Sequence, residues 1–115
     1  MEGVVQFEIQ YYITGAGREP FWDWVSALKD ARARRIILDR VYRLQSSNLG
    51  DCKSLGKGVH ELRVHYGPGL RIYFGRDKGV VVLLLCGGEK RTQRNDITKA
   101  RAYWKDFNQR TYGNI

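Results

Sequence analysis

Apolar and polar residues alternate along this chain in blocks, and each block predicts an element. Val4 to Ile13 alternates partially and is rich in Val, Ile, Phe and Tyr, which predicts a first strand. Thr14-Gly15-Ala16-Gly17 ends it. Pro20 suits the first turn of a helix, and Phe21, Val25 and Leu28 follow at i, i+4 and i+7 with Trp24 beside them. A second helix is predicted over about Ala31–Gln45, with Ile37, Val41 and Leu44 as its apolar stripe and Arg35, Asp39 and Arg43 on another face. Ser46-Ser47-Asn48-Leu49-Gly50 stops it, and Asp51 to Gly58 reads as a loop carrying Lys53 and Lys57.

The second half is strand-rich. Val59–Tyr66 and Leu70–Gly75 flank Gly67-Pro68-Gly69, a tight turn whose glycines permit positive φ. Arg76-Asp77-Lys78-Gly79 makes a second turn. Val80–Cys86 is apolar at every position, as expected of a central strand covered on both sides. A last helix runs from about Arg94 to Phe107, with Ile97, Ala100, Trp104 and Phe107 on one side, and Asn108 to Ile115 reads as a loose tail. The order βααβββα predicts an α+β domain, a mainly antiparallel sheet with helices packed on one face. All 115 residues form one domain, with an ordered core of about 4–107.

Strand alternation also sorts the side chains by face. Leu62, Val64, Tyr66, Ile72 and Phe74 go to the core. Glu61, Arg63 and His65 on one strand, and Arg71 and Tyr73 on the next, go to the polar side. The tight turn brings these two groups together, with Lys90, Arg91 and Arg94 at the edge of the sheet.

Charge sharpens this picture. Residues 1–52 carry seven basic and seven acidic side chains, whereas residues 53–94 carry nine basic and three acidic, most of the chain's net +8. Clustered positive charge is the electrostatic footprint of nucleic-acid binding. The Arg32, Arg34, Arg35, Arg40 and Arg43 series reads as a solvated helix face, and Trp22, Trp24 and Trp104 read as core. No apolar run approaches a membrane span, and the N-terminal sequence shows no secretory signal. With two cysteines, Cys52 and Cys86, and two histidines, His60 and His65, no zinc spacing and no disulfide framework are present. The expectation is a cytoplasmic protein without metal or cofactor, not attached to a membrane.

The segment VHELRVHYGPGLRIYFGRDKGVVVLLLCGGEKRTQRNDITKARAYWKDF resembles the C-terminal half of the RelE/ParE superfamily of bacterial toxins, most closely the HigB-type, phage-related "addiction module killer" branch. EPFWDWVSALKD and the basic helix after it are similar to that branch too, so the resemblance spans about residues 4–107. It implies a microbial-ribonuclease-like fold, metal-independent cleavage of mRNA on the ribosome, and neutralisation by a helix-turn-helix antitoxin. Within it, Arg71 takes the place of the phosphate-clamping arginine of the Gly-x-Arg strand. Arg63 represents the basic pair of the preceding strand, with Glu61 where a second cation would stand. Arg91, beside Lys90, takes the place of the arginine after the last strand. RelE-like toxins carry a tyrosine early in the final helix, where this chain has Ile97; HigB-like toxins use histidines and an acidic residue, which points to His65 or Glu61 for acid/base work. Lys53, Lys57, Tyr73, Lys90 and Arg94 complete the expected RNA-binding set. The resemblance also admits a ParE-like toxin that inhibits DNA gyrase without nuclease activity, or an inactive relic.

Overall fold

Asp30 shows how local chemistry sets the elements: its carboxylate accepts from the Arg32 and Ala33 amides at 2.9 and 3.4 Å and so starts a helix at Ala31. The protein is described by a computed structural model covering residues 6–46 and 48–113. Its elements are β1 (Glu8–Tyr11), α1 (Pro20–Ala27), α2 (Ala31–Gln45), β2 (Cys52–Ser54), β3 (Val59–Val64), β4 (Leu70–Asp77), β5 (Val81–Glu89) and α3 (Gln93–Tyr112). One 3₁₀ turn, Lys90–Thr92, leads into α3. Val4, at the predicted start of the first strand, Ser47, and Ile115, at the end of the predicted tail, lie outside the described residues.

The strands form one sheet in the order β1-β5-β4-β3-β2. β1 runs parallel to β5, and every other pairing is antiparallel. The α+β class and the mainly antiparallel sheet agree with the pattern in the sequence. The helices, however, divide between the two faces. On one face α1 and α2 bury Phe21, Ile37 and Leu44 against Leu62, Ile72, Phe74 and Leu84. On the other, α3 lays Ala100, Ile97 and Trp104 over Val59, Tyr73, Leu83 and Leu85. The physical reason lies in β5, whose Val82, Leu83, Leu84 and Leu85 are all buried: a strand apolar on both faces must be covered twice.

Two glycines let the helices come this close. A side chain at Gly87 would collide with the Trp24 ring of α1, and one at Gly75 with the Trp104 ring of α3. Such contact requires a residue without Cβ.

Several boundaries differ from the sequence reading: β1 ends at Tyr11, and β4 runs on to Asp77 because Arg76 and Asp77 pair with Val82 and Val81. Cys52–Ser54 is a short edge strand within the expected loop, held by pairing with Leu62, Glu61 and His60. β3 ends at Val64, two residues early, because Tyr66 already belongs to the turn, its carbonyl accepting from Gly69 N at 3.0 Å. β5 continues to Glu89, since Gly87, Gly88 and Glu89 pair with Ile72, Arg71 and Leu70. The expected loose tail is helical to Tyr112, whose hydroxyl donates to Asp77 at 2.6–2.7 Å and fastens the last turn to β4.

Candidate functional site

The β3–β4 register puts Arg63 directly across from Arg71. Like charges at paired positions repel, and each has its own carboxylate. Arg63 Nη2 lies 2.9 Å from Asp51 Oδ1, and Arg71 Nε lies 3.5 Å from Glu61 Oε2 without completing a hydrogen bond. Asp51 uses its other oxygen on His65 Nε2 at 2.6 Å. These bonds to His65 and Arg63 hold the Asp51 carboxyl below its ordinary range.

Around this pair lies an open cleft of about 480 Å³. Arg63, His65, Arg71 and Lys90 line it, with Gly67, Pro68 and Gly69 as its floor. Lys90 is drawn in by its own backbone, whose amide donates to Gly69 O at 2.9 Å. A tight turn with Gly67 and Gly69 at φ 55° and 84° keeps the two strands short of splaying. Two arginines, an exposed lysine and an imidazole thus line one cleft, where two carboxylates orient the arginines and His65. Lys90 makes no ion pair among the described residues.

The other residues expected on this face are placed differently. Glu61 is buried, bonded by Gln93 Nε2 at 2.7 Å, and does not line the cleft; it serves as the counter-ion beneath Arg71. Tyr73 is fully buried under α3, its hydroxyl unpartnered and its pKa raised by burial. It is therefore closed to a stacking base. Both outcomes follow from α3 covering the strand face that alternation had assigned to solvent.

No family model matches the chain. A protein of Haemophilus influenzae, described as uncharacterized, is 48% identical to it over 81 residues, 70% of this chain and 82% of the relative. The chain belongs to that protein's family.

In this member of the family the outlying candidate residues sit apart from the cleft. Arg91 is exposed and pairs with Glu89 at 3.2 Å; Arg94 lies with Thr98 and Arg101 on α3. Lys53 is exposed on edge strand β2, and Lys57 lies near Arg101 and Trp104. Asp51 and Gln93, which orient the cleft side chains directly or through Glu61, carried no signal in the sequence; Asp51 stands before a strand too short to show alternation.

His60 stacks on Phe74 at 5.2 Å on the α1/α2 side of the sheet, where burial lowers its pKa. Cys86 is buried, which pushes its thiol up to about 12 and leaves it inert. Cys52 is a free thiol as well. Among the described residues no cluster of His, Cys, Asp and Glu has the spacing to hold a metal ion, and no helix is long and apolar enough to cross a membrane.

Proposed function

We propose that the protein is a HigB-like toxin of the RelE/ParE superfamily, a metal-independent endoribonuclease that cleaves mRNA on the ribosome and is held in check by a helix-turn-helix antitoxin in the cytoplasm. The observation that carries this reading is the registered Arg63–Arg71 pair, in one cleft with His65 and Lys90. Cleavage of RNA without a metal uses the ribose 2′-OH to attack the neighbouring phosphorus. A 2′-O–P bond forms, the P–O5′ bond breaks, and the products are a 2′,3′-cyclic phosphate and a 5′-hydroxyl. The added negative charge on the phosphorane needs preorganised cations. Guanidinium groups supply them with planar, permanently charged donors. Two facing guanidinium groups can hold both non-bridging oxygens.

His65 supplies the proton acceptor. With Nε2 engaged by Asp51 at 2.6 Å, its Nδ1 is the nitrogen left for the 2′-OH. The side chain is 75% exposed, so a ribose reaches it without rearrangement of the sheet. Lys90 adds charge at the rim, where water delivers the proton to the departing 5′ oxygen. A buried Arg71 also fits a clamp better than a surface arginine would, because its orientation is set by Glu61 before substrate arrives.

The test is induced expression followed by primer extension on cellular mRNA, with a gyrase supercoiling assay alongside. New 5′ ends within translated messages, lost in Arg63→Gln, are expected. Intact mRNA with inhibited supercoiling would replace this reading with a ParE-like one.

A further inference from the structure

Over the lip formed by Tyr66 to Leu70, the cationic cleft continues into a second hollow of about 700 Å³. Tyr66, Gly67, Pro68 and Leu70 line both. The second hollow is more apolar: Leu28 and Ala33 from the helical layer face Tyr66, Pro68 and Leu70, with Lys29 and Arg91 at the rim. Tyr66 is held in place from the far side, its hydroxyl donating to Asp30 at 2.7 Å, and Asp30 is itself anchored as the cap of α2. Arg32 stands 6.0 Å from the centre of the ring. The hollow thus presents a half-buried aromatic ring in a fixed position beside a site for anions.

We infer that this hollow takes one unpaired nucleobase of the strand whose phosphate occupies the cleft, with Tyr66 as its stacking platform. The inference rests on the RNA-binding reading above and adds how a base is held. A nucleotide joins a charged phosphate to a flat, largely apolar ring through one sugar. The two hollows offer that polarity in the same order and share a wall. Tyr73 is sealed beneath α3, so Tyr66 is the aromatic that both hollows can use. Stacking on an aromatic side chain is tolerant of base identity and changes affinity by roughly 5-fold to 150-fold per base. Single-stranded RNA is the form that can offer such a base.

The experiment compares two fluorescently labelled six-nucleotide oligomers by anisotropy. One is single-stranded 2′-O-methyl RNA, which cannot be cleaved; the other has the same backbone without bases. The wild type should prefer the base-containing oligomer by about 5-fold or more. Ala27→Trp, which fills the hollow from the exposed end of α1 and lies outside the phosphate cleft, should erase that preference and leave the affinity for the abasic oligomer unchanged; Tyr66→Leu should erase the preference independently. Tyr66→Phe should retain it. Should Tyr66→Leu not fold, Ala27→Trp carries the test. Equal binding of the two oligomers by the wild type, or a preference that survives both variants, overturns the stacking site while leaving the phosphate cleft intact. Binding of neither oligomer overturns the stacking site and the RNA reading together.

Discussion

Removing Arg71 should destabilise the fold as well as the cleft. The Arg71 side chain is 10% exposed and that of Glu61 2%, so Arg71→Ala strands a buried carboxylate. Breaking a buried pair from one side typically costs about 3–5 kcal/mol. The lower end applies here, because Gln93 Nε2 still donates to Glu61 at 2.7 Å and Arg71 Nε makes no hydrogen bond to lose. With an unfolding entropy of about 2.1 cal/mol/K per residue over 115 residues, a loss of about 3 kcal/mol lowers the thermal midpoint by roughly 12 °C. The assay is a double-mutant cycle with Glu61→Gln, followed by thermal and urea unfolding. Arg71→Ala/Glu61→Gln no longer buries an unpaired charge and should recover much of the loss, with a coupling energy above about 1.5 kcal/mol. An Arg71→Ala variant within about 0.5 kcal/mol of wild type, or additive single effects, would refute the claim that the two side chains act as a unit.

Three further outcomes check other parts of the account. His65→Gln should slow RNA cleavage by about 10²–10⁴-fold in single-turnover assays while leaving ribosome binding near wild type; equal rates would remove His65 from the chemistry. Asp51→Asn should lower stability at neutral pH, and the gap to wild type should narrow as pH falls below 3.8. A carboxyl whose folded pKa is depressed stabilises above its unfolded value of 3.8 and loses that contribution as pH falls through the folded one. A stability gap independent of pH would contradict this. Gly75→Ala should cost about 1–3 kcal/mol by forcing a methyl group against the Trp104 ring, and a neutral result in urea unfolding would show that α3 does not press on that face.

What the sequence discloses about this fold depends on how much side-chain pattern each element carries. α2 reads at its bounds because Ile37, Val41 and Leu44 repeat at helical spacing. The β3–β4 hairpin is legible in its register but not its ends, since alternation on two strands around Gly67 and Gly69 fixes which side chains meet and brings Arg63, His65 and Arg71 together, with Lys90 beside them. Alternation separates the two faces of a strand but does not say which face a distant helix will cover. Glu61 and Tyr73 therefore read as polar-side residues although α3 buries them. The missed end of α3, through Tyr112, is polar and has no apolar stripe; it is held by contacts far away in sequence, such as Tyr112 with Asp77 and Arg110 with the Ile13 carbonyl at 2.5 Å. Asp51 escaped for a related reason. Its importance lies in bridging Arg63 and His65, and a three-residue edge strand with exposed Lys53 and Ser54 leaves no periodic trace.

The central claim is tested most directly with protein freed of metal by dialysis against EDTA and then added to ribosomes programmed with a defined mRNA in their usual magnesium buffer, reading the chemistry of the new ends. The account predicts cleavage leaving a 2′,3′-cyclic phosphate and a 5′-hydroxyl. The rate should fall by at least about 10²-fold in Arg63→Gln, as expected when a group that stabilises transition-state charge is removed. Intact mRNA under these conditions, or cleavage at an unchanged rate in Arg63→Gln, would contradict it.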